Sequence, residues 1–194
     1  VNIVGTTAQV TAALVTDATK VEAGSALVTI GDGDGVTLNA EDLSAIGGET
    51  EGAVTVTNAV NIVGTTAQVT AALVTDATKV SVSDATVALD DGETPTISQL
   101  NDIADATDGV VTATLAENTL ANFATLATEA TDVITVTVSD DDAVNLNAET
   151  LSALGGKTAG TVTVSNAVVI SGTQSQVTAA LVTGATKVEA GSAL

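Results

Sequence analysis

The chain repeats itself, and that constrains its fold more than any single motif does. Val1 to Leu27 (VNIVGTTAQVTAALVTDATKVEAGSAL) returns as Val168 to Leu194 (VVISGTQSQVTAALVTGATKVEAGSAL), identical at 22 of 27 positions. The stretch Val1 to Val21 recurs from Val60. A second block, VTLNAEDLSAIGGETEGAVTVTNAV from Val36, returns as VNLNAETLSALGGKTAGTVTVSNAV from Val144. Self-similarity at periods of 20–50 residues is the mark of architectures in which one supersecondary unit buries its apolar face only against its neighbours.

Beneath these copies runs a unit of about 28 residues. One apolar anchor marks each: Val10, Leu43, Val69, Leu100, Phe123, Leu151 and Val177. Four residues before each anchor stands a good helix cap, namely Thr6, Asn39, Thr65, Thr96, Thr119, Asn147 or Thr173. Gln9, Gln68, Gln99 and Gln176 add the capping-box spacing. Leu38 with Leu43, and Leu146 with Leu151, are spaced as hydrophobic staples, and Gly47-Gly48 and Gly155-Gly156 offer C-terminal stops. A short capped helix is therefore expected in every unit.

Between these segments the period drops to two. Val54 to Thr57, Val80 to Ser83, Val133 to Val138 and Val162 to Ser165 alternate β-branched residues with hydroxyls, as half-buried strands do. A second short strand, such as Val60 to Val63 or Val144 to Leu146, leads into each cap. The expected fold is a repeat protein, an α/β or all-β solenoid with parallel sheets. Its seven coils of about 28 residues each hold two short strands and a Thr- or Asn-capped helix. The alternative is a straight parallel β-helix in which the capped segments are third strands. Residues 1–194 read as one continuous solenoid segment, a stretch of a longer array.

Composition narrows the chemistry. Among 194 residues there is no Arg, His, Cys, Met, Trp or Tyr, and Phe123 is the one aromatic. Without His or Cys there is no imidazole base, thiolate, structural zinc site or disulfide. The four lysines, Lys20, Lys79, Lys157 and Lys187, stand against 24 acids for a formal charge of −20. That balance opposes nucleic-acid and anionic-membrane partners. The charge-free stretches Gly52 to Thr75 and Thr158 to Thr186 are studded with Thr, Asn, Gln and Gly, so no membrane insertion is expected. No aromatic platform or pocket for a small-molecule substrate is evident, and no enzymatic activity is expected. Lys20, Lys79 and Lys187 share one ATKV turn and read as local charge balance.

Two features remain as candidate sites. Acid-rich corners interrupt the strands at Gly31 to Gly35 (GDGDG), Asp90 to Glu93 (DDGE) and Ser139 to Asp142 (SDDD). Stacking would gather Asp32, Asp34, Asp90, Asp91, Glu93, Asp140, Asp141 and Asp142 along one edge. Carboxylates on glycine-rich turns suit a hard cation such as Ca²⁺; a solvated loop that keeps the chain soluble is the other reading. The second feature is a set of outward hydroxyl pairs, Thr55 and Thr57, Ser81 and Ser83, Thr112 and Thr114, Thr135 and Thr137, Thr163 and Ser165, which would form two ladders. Such arrays resemble those of ice-binding β-solenoids, although Thr is also simply a good residue for an exposed strand face.

Units of the type VTVSNAVxIxGTxxQVTAAL alternating with LNAExLSALGGKTxGTV resemble the tandem repeats of giant secreted bacterial surface proteins of the RTX/hemolysin-like, S-layer or adhesin type. The resemblance implies an extracellular location, calcium dependence and a structural or adhesive role, with further copies or neighbouring repeats as partners.

Overall fold

A computed structural model describes every residue except Thr19, Lys20, Ala23 and Lys187. The reading of Lys20 and Lys187 as charge balance thus lies outside the described residues. The fold is α/β, with parallel strands alternating with short helices. Two compact units are present, residues 1–93 with 102–111, and residues 94–101 with 112–194.

In the first unit the order is β1 (Asn2–Gly5), α1 (Thr7–Leu14), β2 (Leu27–Ile30), β3 (Thr37–Asn39), α2 (Ala40–Gly48), β4 (Val54–Val56), β5 (Asn61–Gly64), α3 (Thr66–Leu73), β6 (Val80–Ser81) and β7 (Thr86–Leu89). Strands β1, β2, β4 and β6 form one parallel ladder, and β3, β5 and β7 another. Helix α4 (Ile97–Ala104) and β8 (Val111–Thr114) follow. The second unit continues with a 3-10 turn (Asn122–Thr125), β9 (Val133–Val138), β10 (Asn145–Asn147), α5 (Ala148–Gly155), β11 (Val162–Val164), β12 (Val169–Ser171) and α6 (Gln174–Leu181). There β8, β9 and β11 pair in parallel, as do β10 and β12.

Register explains how such small side chains make a core. Val28 faces Val54, and Val54 faces Val80, all three buried. Leu38, Ile62 and Val87 form a second buried row, and Val136 with Val162 a third. Parallel pairing places each residue against its counterpart one repeat away, so apolar rows stack without large side chains to fill gaps. The anchors Val10, Leu43, Val69, Leu100, Phe123 and Leu151 are buried beneath their helices, while Val177 is half-buried.

The helix signals hold in most repeats. Thr6, Thr65 and Thr173 close complete capping boxes with Gln9, Gln68 and Gln176, and Thr96 exchanges the same bonds with Gln99. These segments are helices and not third strands, which overturns the β-helix alternative. Three local expectations are corrected. Asn39 caps α2 by position but makes no side-chain cap bond. Thr119 precedes a 3-10 turn instead of an α-helix: its box position holds Asn122, which bonds Asn118 Oδ1 at 2.5 Å, and the same Oδ1 takes the Thr119 N–H that a Gln would accept. The strand at Val80 is two residues long, ending at Ser81.

The glycine pairs are not left-handed stops either. Gly47 and Gly155 lie inside α2 and α5, and both C-caps, Glu49 and Gly156, are right-handed. Their smallness serves close approach, since a Cβ on Gly47 would sit 2.1 Å from Thr78 O and one on Gly155 would sit 2.3 Å from Thr186 O.

Candidate functional site

The first acidic corner joins β2 to β3 and faces α1. Asp32 Oδ2 accepts the backbone N–H of Thr7 at 2.6 Å and the Thr7 hydroxyl at 2.6 Å. On its other side the corner grips the connection after β4. Asn58 Nδ2 donates to Asp32 O at 2.5 Å, Ala59 N donates to Asp34 Oδ1 at 3.1 Å, and Gly35 N donates to Ala59 O at 2.7 Å.

The third corner, between β9 and β10, repeats this arrangement. Leu120 N donates to Asp140 Oδ2 at 2.7 Å, Asn166 Nδ2 to Asp140 O at 2.8 Å, and Ala167 N to Asp142 Oδ1 at 2.9 Å. The second corner, between β7 and α4, reaches its helix with a longer side chain, and Thr66 N donates to Glu93 Oε2 at 2.8 Å. That backbone N–H holds the Glu93 carboxyl below the usual carboxylate range. Asp90, Asp91 and Asp141 lie exposed at the corner tips.

Two of these acids, Asp32 and Glu93, therefore act at helix starts. Thr7 and Thr66 are the first residues of α1 and α3, whose first turns hold no acid of their own. By contrast, α2 carries Glu41 and Asp42 there, and α5 carries Glu149. The unsatisfied N–H groups at a helix start form its positive end. Each of these helices meets a carboxylate, supplied locally in α2 and α5 and from the next corner along the chain in α1 and α3. Among the described residues no group of three or more acids, His or Cys is placed to hold a metal ion.

A second interlock escaped the sequence reading. Thr50, Thr107 and Thr158 each direct their hydroxyl at two carbonyls of the preceding strand entry: Gly24 and Ala26, Ser83 and Ala85, Asp132 and Ile134. The same oxygen accepts the N–H of the glycine two residues on, Gly52, Gly109 or Gly160. A Cβ on those glycines would lie 2.1 to 2.3 Å from the Ala26, Ala85 or Ile134 carbonyl oxygen. The signal was the T-x-G triplet before each of β4, β8 and β11, which alternation patterns do not reveal.

The hydroxyl pairs align only in part. Thr55 faces Thr29 on one side and Ser81 on the other, Thr114 faces Thr135, and Thr137 faces Thr163. Thr112 faces Val133. Thr57, Ser83 and Ser165 lie beyond the strand ends, where the Thr57 and Ser165 hydroxyls donate back to Ile30 O and Val138 O at 3.3 Å.

The first unit also has an open polar cleft of about 690 Å³ whose lining includes Gly48, Glu49, Glu51, Asp76 and the exposed Lys79. In the second, Lys157 Nζ donates to Ala124 O at 3.1 Å and to Leu126 O, placing a cation on the last carbonyls of the 3-10 turn. No described helix is long and apolar enough to cross a membrane. No family model, curated protein or solved structure matches the chain.

Proposed function

We propose that this chain is a structural segment, a solenoid stretch of an extracellular surface layer, filament or adhesin stalk. The observation that carries this reading is that five carboxylates from the acidic corners, Asp32, Asp34, Glu93, Asp140 and Asp142, each accept a backbone N–H from a neighbouring repeat. Polar groups used to lock one repeat to the next suit a chain whose work is to hold its own length. The repeat pattern and the absence of Cys fit the secreted surface arrays that the sequence resembles.

Seven coils at the 4.7–4.9 Å strand spacing would span about 33 Å of sheet. Calcium keeps a place in this reading, with Asp32, Asp34, Asp90, Asp91, Glu93, Asp140, Asp141 and Asp142 as its proposed ligands, of which Asp90, Asp91 and Asp141 are exposed at the corner tips. Ice-like adsorption is less well supported, because only short runs of hydroxyls line up.

Small-angle scattering with thermal unfolding tests the proposal. Because seven coils of this mass make a particle about as wide as it is long, the discriminating sample is four copies of the chain joined end to end: a solenoid should exceed the radius of gyration of about 28 Å expected for a compact domain of that length. A compact tandem particle would overturn it. Repeating the melt in EDTA and then in millimolar Ca²⁺ separates a calcium-organised layer, which gains stability or assembles, from one held by its own hydrogen bonds.

A further inference from the structure

In the second unit the 3-10 turn leaves a gap beside α5. Helix α5 packs against α6 of the following repeat, and both are eight residues long. Its neighbour in the preceding repeat is the four-residue turn Asn122–Thr125, too short to cover the same length of helix. A pocket of about 290 Å³ opens between turn and helix.

The lining is mostly apolar. The buried Leu120, Phe123 and Leu154 contribute to it, together with the exposed Ala124 and Ala153. Its two charged residues belong to opposite ends of α5, Glu149 to the first turn and Lys157 to the position just past the C-cap. Glu149 Oε2 is engaged by Gln176 Nε2 at 2.8 Å. Lys157 Nζ donates to Ala124 O at 3.1 Å and to Leu126 O, which fixes the ammonium on the turn and uses two of its three donors. Among the described residues of this unit no acceptor takes the third, and Lys157 is the one cation.

The charge at this position differs between the two copies of the repeat. Gly155-Gly156-Lys157 corresponds to Gly47-Gly48-Glu49 in the first unit, where the helix before α2 is the eight-residue α1. The acid is replaced by a base in the copy whose preceding helix is replaced by a turn. A volume of about 290 Å³ lies at the lower end of the range for ligand pockets, so the occupant is small. Carbon lining and one N–H of a fixed ammonium suit a few methylene groups carrying a single anion, held by a charge-assisted hydrogen bond.

We propose that this pocket binds a short aliphatic carboxylate, with its chain against Leu120, Phe123 and Leu154 and its carboxylate on Lys157 Nζ. The test is a titration of the full chain with hexanoate in D2O, followed through the ring protons of Phe123, the one aromatic residue of the sequence. A saturable shift is expected, with a Kd on the order of 1 mM for so small a ligand. Hexan-1-ol, of similar volume and no charge, should bind about tenfold more weakly, and high salt should narrow that difference. Lys157→Met should bring hexanoate down to the affinity of hexanol while hexanol is unchanged, the latter showing that the pocket keeps its shape. Ala153→Leu fills the space from an exposed position and should abolish the shift with either ligand. Absence of a saturable shift in the unsubstituted chain would overturn the proposal. Equal affinity for hexanol and hexanoate would do the same, and that comparison requires no variant to fold. Phe123 signals that move with protein concentration alone would assign the pocket to a contact between copies of the chain, and would overturn it as well.

Discussion

Asp32 Oδ2 accepts both the N–H and the hydroxyl of Thr7, a residue 25 positions earlier, at 2.6 Å each. A carboxylate at a helix start is ordinarily local; here it arrives from the following strand connection and fastens two successive passes of the chain. Asp32→Ala removes the charge and both bonds, leaving the first turn of α1 without an acid. A loss of about 1–2 kcal/mol is expected from cap-removal experience. Asp32→Asn keeps an acceptor and should lose less. Chemical denaturation of the two variants checks this; a loss in Asp32→Asn as large as that in Asp32→Ala would mean that a neutral acceptor recovers nothing and that the charge carries the whole effect.

The second corner makes a pH prediction. Glu93 sits below its ordinary value because the Thr66 backbone N–H favours the ionised form. A group whose folded value is depressed contributes stability above its unfolded pKa and loses it as pH falls through the folded one. The contribution should thus be complete at neutral pH and fade at and below the normal glutamate range, near pH 4. Glu93→Gln should flatten that limb of the stability–pH curve. A variant whose acid limb superimposes on the parent's would remove Glu93 from the account.

How far the sequence foretold this site depends on the range of each bond. Thr6 with Gln9 and Thr65 with Gln68 lie three residues apart and close as local pattern dictates. Asp32 with Thr7 and Glu93 with Thr66 lie 25 and 27 residues apart, and no local rule selects that partner. The acidic corners were visible as charge clusters, which suggested a cation as their counter-charge. Two of the acids, Asp32 and Glu93, lie against helix starts, whose partial positive charge comes from backbone geometry and has no letter in the sequence. Thr119 failed for a related reason: its cap was legible, but the competing carbonyl of Asn118 was not.

Gly52 marks the closest approach between neighbouring strand entries. Its missing Cβ would fall 2.1 Å from Ala26 O and 2.8 Å from Ser25 O, both backbone atoms that cannot rotate away. Gly52→Ala should therefore destabilise the first unit by about 3 kcal/mol or more, in the class of overpacked core substitutions. Gly191→Ala, with nothing within 4 Å of the added methyl, is the matched control and should stay within about 0.5 kcal/mol of the parent. Thermal melts of both decide the point; equal behaviour would show that the entries can separate at little cost.

Ala143 occupies the third corner where the first has Gly35. Both are left-handed, at φ +62 and +73, and both donate their N–H to the alanine carbonyl of the next connection, Ala167 and Ala59. The bond fixes the backbone, so the side chain must tolerate a conformation that L-residues with a Cβ reach only with strain. Ala143→Gly should relieve that strain and stabilise the second unit by about 0.5–1 kcal/mol. The greater freedom of glycine in the unfolded chain opposes the gain. Gly35→Ala should cost a similar amount in the first unit, with nothing nearby for the methyl to strike. Opposite signs for the two substitutions at matched corners, read from chemical denaturation, are the expected result. A loss in both would mean that unfolded-state entropy outweighs backbone strain at this position.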